Sequence, residues 1–178
     1  MGFDLDAALA AISAQRRDYA LKFRHELGRR QCVLAYLLLK RGLFVEYGLD
    51  VNPEFTFGDH GKPVLKDFPG IHFSLSHCRE AVVCALSDRP VGIDVESVGR
   101  YTDGVVCYSM NDDEQRLIAA AEQPALAFAR LWTMKEASVK LTGEGLQTGI
   151  KDILTDNRFR FTTVVDPRQR FVYSVCSL

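Results

Sequence analysis

In residues 27–39, LGRRQCVLAYLLL, the spacing of Leu27, Val33, Leu34, Leu37 and Leu38 makes one broad apolar face, and the run is rich in helix formers. The spacing predicts a helix there, with Gly42 and Gly48 as the breaks that follow it. NPEFTFGDHGKP, residues 52–63, is turn-rich, with Gly61 and Pro63 flanking Lys62. Three short strands are predicted between 71 and 96. IHFSLSH alternates Ile71, Phe73 and Leu75 against His72, Ser74 and Ser76; AVVCAL is continuously apolar; VGIDVE alternates again. Polar linkers, HCRE and SDRP, make an antiparallel meander the simplest connection. Residues 112–141 turn helical twice, with Pro124 opening the second helix. Beyond Gly149, RFRFTTVV and RFVYSVC flank DPRQ and read as a closing hairpin.

The order helix, strands, helices, strands predicts an α+β fold of two comparable halves meeting near 89–92. We expect residues 1–90 to form one half and 91–178 the other. A chain of 178 residues, 47% hydrophobic and 25% charged, is ample for a globular core.

Charge narrows the function classes. Lys and Arg total 22 against 23 Asp and Glu, which excludes a dedicated polyanion binder, so no nucleic-acid partner is expected. No apolar run approaches the roughly 20 residues of a membrane span, and the first residues are acidic where a signal peptide needs basic ones. We therefore expect no membrane association and a cytoplasmic location. The five cysteines are odd in number and form no C-x-x-C pair, as small buried hydrophobes in a reducing compartment do.

Asp94 and Glu96 lie two apart on a predicted strand, so they leave one face with Cα atoms about 7 Å apart. Like charges about 4 Å apart repel by about 1 kcal/mol even in water. An apolar strand bearing both calls for a cation, and hard oxygen ligands suit Mg²⁺, which shares its other positions with water and phosphate. A solvated edge strand is the plainer alternative. Glu136 and Lys140 are i and i+4 on the second helix, and Trp132 is one turn earlier on the same stripe. Glu136 could complete a metal site with Asp94 and Glu96, while Lys140 reaches toward phosphates. Taken alone, Glu136 and Lys140 also fit a helix-stabilising pair worth about 0.3–0.5 kcal/mol.

GKP (61–63), FSLSH (73–77), VGIDVE (91–96) and WTMKEASVKLTGEGL (132–146) resemble, in order and spacing, the blocks of the phosphopantetheinyl transferases. The likeness is to the larger type, which activates peptide and polyketide synthetases. It implies two pseudo-symmetric halves, each a small antiparallel sheet packed on a helix, with coenzyme A and Mg²⁺ in the cleft between them. It implies transfer of the 4′-phosphopantetheine arm of coenzyme A to a serine of an apo acyl or peptidyl carrier protein, releasing adenosine 3′,5′-bisphosphate. Asp94, Glu96 and Glu136 resemble the metal ligands. Glu136, or a water beside it, resembles the base, and Lys140 the group steadying the leaving phosphate.

Ser76 and His77 resemble the pair that contacts coenzyme A phosphates, and Lys62 the nucleotide-contacting lysine of the GKP turn. Basic residues of the N-terminal half hold the 3′-phosphate in this family. Here Arg16, Arg17 and Arg30 are the candidates, with Arg29 or Arg24 as substitutes. The nucleotide side then falls in 1–90 and the metal and catalytic side in 91–178. Gly143 and Gly145 are expected to end the helix. Asp112, Asp113 and Glu114 complement a helix dipole and are left outside the site. The carrier is expected to dock around the cleft, including 100–118. Two fused halves need no partner subunit, so a monomer is expected. Two other readings share these residues: a binding module for coenzyme A or the carrier without turnover, and a Mg²⁺-dependent phosphodiesterase.

Overall fold

The structure is a computed structural model and describes residues 3–58, 60–99, 101–145 and 149–178. Leu146, the last residue of the WTMKEASVKLTGEGL block, and Arg100, the first of the expected docking segment, lie outside the described residues.

Two short helices open the chain. Asp4 caps α1 (Leu5–Ala10) by accepting from the Ala7 N–H, and Ser13 caps α2 (Ala14–Leu21) by accepting from the Arg16 N–H. Helix α3 (Glu26–Tyr47) runs well past the expected stretch and ends at Gly48, which adopts φ 68°. Gly42 does not break it. A Cβ at that position would lie 2.3 Å from Leu86 Cδ1, so this glycine admits a side chain from the sheet below. The buried stripe of α3 is Cys32, Val33, Tyr36, Leu39 and Leu43, while Leu27 and Leu38 face outward.

The turn-rich stretch is itself a hairpin, β1 (Phe55–Phe57) against β2 (Pro63–Leu65), with Gly61 at φ 77° in its turn. Strands β3 (His72–His77) and β4 (Val82–Ser87) form the expected antiparallel hairpin, from His72↔Ser87 to His77↔Val82. There the meander stops. Strand β5 (Val91–Ser97) joins a second antiparallel sheet, pairing with β7 (Phe171–Ser177), which pairs in turn with β6 (Arg160–Val165). Between β5 and β6 run α4 (Asp103–Ser109), α5 (Asp112–Ala120), α6 (Pro124–Thr142) and a 3-10 turn, Ile150–Thr155. Pro124 stands at the start of α6, where its missing N–H costs nothing.

Each half is thus an antiparallel hairpin laid on a helix, β3–β4 on α3 and β6–β7 on α6, with β5 added beside β7. One core gathers Tyr36, Leu39, Leu43, Phe55 and Phe73; the other gathers Ala137, Leu141, Phe159 and Cys176. Among the described residues no helix is long and apolar enough to cross a membrane.

The halves meet where β3 lies against β5 without a backbone ladder. The polar positions of β3 take its place: Ser74 Oγ accepts from the Ile93 N–H at 3.0 Å. Helix α6 also comes very close to β5. A Cβ on Gly92 would fall 1.9 Å from the Ala137 carbonyl oxygen and 2.6 Å from the Leu141 nitrogen, so only glycine allows this approach. Both obstacles are backbone and cannot swing aside. Gly92→Ala is expected to lower unfolding free energy by about 3 kcal/mol, read by urea denaturation; wild-type stability would contradict the packing described.

Candidate active site

Because side chains alternate along a strand, Asp94 and Glu96 share the face on which Gly92 admits α6. Helix α6 answers with residues spaced by four: Trp132 Nε1 donates to Glu96 Oε1 at 3.3 Å, and Lys140 Nζ lies 2.6 Å from Asp94 Oδ1. Glu136 occupies the same stripe between them. The first half supplies Ser76 from β3, whose hydroxyl donates to Asp94 Oδ1 at 2.8 Å and accepts from Lys140 Nζ at 2.8 Å.

The electrostatics are those of a site short of positive charge. Asp94 is only 3% exposed, a buried carboxylate rather than one lining an open cleft, and its Oδ2 is buried with no hydrogen-bond partner among the described residues. Burial, then the neighbouring Asp94 charge, pushes the Glu96 carboxyl up to about 7, against the pull of the Trp132 hydrogen bond. Burial and Asp94 also raise Glu136, with Lys140 opposing them. Oxygen donors, an orphaned buried oxygen and carboxyls that resist ionising together fit a small hard cation. Among the described residues no three such side chains are already gathered at ligand distance, and the positive charge beside Asp94 is Lys140.

On the far side of Lys140, a cavity of about 270 Å³ is lined by His60, Lys62, Phe73, Val139, Lys140 and Gly143. Lys62 Nζ donates to the Leu141 carbonyl at 2.7 Å, and burial lowers its pKa. Gly143 ends α6 at φ 77°, and it also makes room, since a Cβ there would sit 2.9 Å from Lys62 Cδ. This cavity shares Gly61, Pro63, Phe73 and Leu75 with a second of about 410 Å³ that reaches Arg16, Tyr19 and Phe55.

The expected basic residues separate. Arg16 lines the second cavity, its guanidinium held by the Cys32 carbonyl at 3.0 Å and facing the Tyr19 ring at 5.2 Å. Arg17 is exposed on α2 and does not line that cavity. Arg30 pairs with Glu26 at 2.8 Å, and Arg29 donates to the Phe23 carbonyl at 2.9 Å. His77 ends β3 at the surface; surrounding protein, then the Lys140 ammonium, holds its imidazole below the ordinary range.

Two features escaped the sequence reading. Tyr101, Phe128 and Trp132 stack in series, with centroids 4.8 and 6.2 Å apart, along a cavity of about 300 Å³ that also contains Glu96. Phe128 precedes Trp132 by four, so the stripe itself carried that signal. Lys135 is wholly buried. It pairs with Glu114 at 2.8 Å and donates to the Ile150 and Lys151 carbonyls at 2.9 and 2.6 Å. Glu114 meanwhile closes a capping box with Asn111 at the start of α5.

Comparison with known proteins places most of the chain beside one family. Residues 90–174, which hold all three carboxylates and Lys140, match the family model described as the 4′-phosphopantetheinyl transferase superfamily. The 4′-phosphopantetheinyl transferase psf-1 of Bacillus pumilus is 34% identical over 142 residues, covering 78% of this chain and 61% of that protein. A 4′-phosphopantetheinyl transferase of Bacillus subtilis is 31% identical over 144 residues, 79% of this chain and 64% of that one. The 4′-phosphopantetheinyl transferase HetI of Nostoc sp. is 34% identical over 146 residues, 77% and 62% respectively. The chain spans less than two thirds of the length of these curated relatives.

Proposed function

Since the chain belongs to the 4′-phosphopantetheinyl transferase superfamily, and to its larger type, we propose that it transfers the 4′-phosphopantetheine arm of coenzyme A to a carrier protein. The acceptor is a serine hydroxyl of an apo acyl or peptidyl carrier protein, and adenosine 3′,5′-bisphosphate leaves. The observation that carries this reading is the meeting of Asp94 and Glu96 on β5 with the Trp132, Glu136 and Lys140 stripe of α6, beside cavities lined by Lys62 and Arg16.

Asp94, Glu96 and Glu136 would hold Mg²⁺, which when bound neutralises charge on the pyrophosphate of coenzyme A. Residues 1–90 form the nucleotide side, where Arg16, Lys62 and His77 bind and orient the substrate, with Arg17 and Arg30 further out. Residues 91–178 form the metal and catalytic side. Glu136, or a water beside it, takes the serine proton. The serine oxygen bonds to the phosphorus bearing pantetheine while the pyrophosphate P–O bond breaks. Lys140 stabilises the negative charge that the departing phosphate gains. The carrier docks around the cleft, within reach of 100–118. The protein works as a monomer in the cytoplasm, where its five free cysteines stay reduced.

Incubation with coenzyme A, Mg²⁺ and an apo carrier should add the mass of one phosphopantetheine to the carrier. No gain on any of a panel of fatty-acid, polyketide and peptide carriers would sink the reading. Adenosine bisphosphate released from coenzyme A without a carrier would favour a phosphodiesterase instead, and coenzyme A binding without product a binding module.

His77 gives a pH signature. Its folded, unliganded pKa lies below the usual 6.5, so it is neutral at pH 7, and phosphates placed beside it must draw a proton in. Coenzyme A affinity should therefore rise as pH falls from about 8 to about 6, more steeply in the wild type than in His77→Gln. Identical slopes in calorimetry would remove His77 from the phosphate site.

A further inference from the structure

Ser76 is 8% exposed, and its hydroxyl proton is already committed. A hydroxyl has a single proton to give. Here that proton goes to Asp94 Oδ1 at 2.8 Å, while Lys140 Nζ donates to the same oxygen atom of the serine at 2.8 Å. To contact a phosphate, Ser76 would have to withdraw its proton from a buried carboxylate. Its neighbour His77 leaves the strand on the opposite face and reaches the surface instead.

The carboxylate of Asp94 is divided. Oδ1 receives two donors, Ser76 at 2.8 Å and Lys140 at 2.6 Å, and Oδ2 is buried with none among the described residues. A carboxylate turns about one terminal bond, so pinning Oδ1 fixes where Oδ2 points. Of the two pins, Lys140 sits on a flexible four-carbon stem and is the group that must turn toward the leaving phosphate. Ser76 sits on a strand locked to β5 two residues earlier, where Ser74 Oγ accepts from the Ile93 N–H at 3.0 Å. Ser74 therefore fixes the β5 backbone and Ser76 the β5 carboxylate, both from the other half of the protein.

We propose that Ser76 is a positioning residue that aims Asp94 Oδ2 at the metal, and that it keeps Asp94 aimed when Lys140 turns to the substrate. This rests on the Mg²⁺ reading above. It assigns Ser76 to the cation rather than to the phosphates of coenzyme A. Partners of this kind, one step removed from a metal, typically alter its affinity about 10- to 100-fold.

The test uses Mn²⁺ as the probe, with binding followed by electron paramagnetic resonance with and without coenzyme A, and coenzyme A binding measured separately by calorimetry in EDTA. Ser76→Ala is expected to weaken Mn²⁺ on the order of 10-fold, more with coenzyme A present than without, and to leave coenzyme A affinity in EDTA unchanged. Ser76→Thr, which keeps the hydroxyl, should restore Mn²⁺ binding; Ser76→Cys, a poor donor of similar bulk, should not. Wild-type Mn²⁺ affinity in Ser76→Ala and Ser76→Cys, or loss confined to coenzyme A binding in EDTA, would overturn the assignment alone. A wild-type protein that binds no Mn²⁺ even with saturating coenzyme A would overturn the metal reading and this inference with it.

Discussion

Lys135→Met is expected to cost about 3–5 kcal/mol of unfolding free energy, the range for breaking a buried ion pair from one side. The Lys135 side chain is 0% exposed and that of Glu114 11%, so the substitution leaves a nearly buried carboxylate without its cation. It also strips the Ile150 and Lys151 carbonyls of their donor. Burial already lowers the Lys135 pKa, with Glu114 opposing that shift, so the ammonium is held in place by its partner. Glu114→Gln combined with Lys135→Met should cost less than Lys135→Met alone, because no orphaned charge remains. Urea denaturation of the two variants decides it. If Lys135→Met stayed within about 1 kcal/mol of wild type, the pair would not be holding α5, α6 and the 3-10 turn together.

Asp94→Asn is expected to reduce transfer on the order of 1,000-fold or more. That corresponds to about 4 kcal/mol of barrier, within the several kcal/mol a metal ion supplies to phosphoryl chemistry. Stability should shift by less than about 1 kcal/mol, for two opposing reasons. Removing the charge relieves the repulsion that raises Glu96 and Glu136, and it weakens the hold on Lys140. Asparagine can still accept from Ser76. Single-turnover transfer followed by carrier mass, beside a thermal melt, separates the two. Full activity would remove Asp94 from the chemistry, and a collapse in stability would make its role structural.

The α6 stripe was legible because helical spacing is rigid: Trp132, Glu136 and Lys140 had to share a face whatever packed against them. Asp94 and Glu96 were legible for the same reason at period two. That these faces meet depended on Gly92, whose closeness to Ala137 and Leu141 belongs to tertiary packing and has no local sequence cue. Ser74 and Ser76 read as the polar side of β3, yet both face β5 and stand in for a ladder, which is why β5 leaves the meander. The α3 face was misplaced for a related reason. Leucines at 27 and 38 are hydrophobic, but the sheet lies toward Val33, Tyr36 and Leu39. Glu114 did complement a helix start as expected, while its partner Lys135 belongs to another helix and no motif joins them.

Anomalous diffraction from crystals grown with Mn²⁺ and coenzyme A addresses the central claim most directly. A single manganese peak should lie among the carboxylates of Asp94, Glu96 and Glu136, in contact with the coenzyme A pyrophosphate. A peak elsewhere, or a bound coenzyme A whose pyrophosphate lies away from those three side chains, would contradict the account.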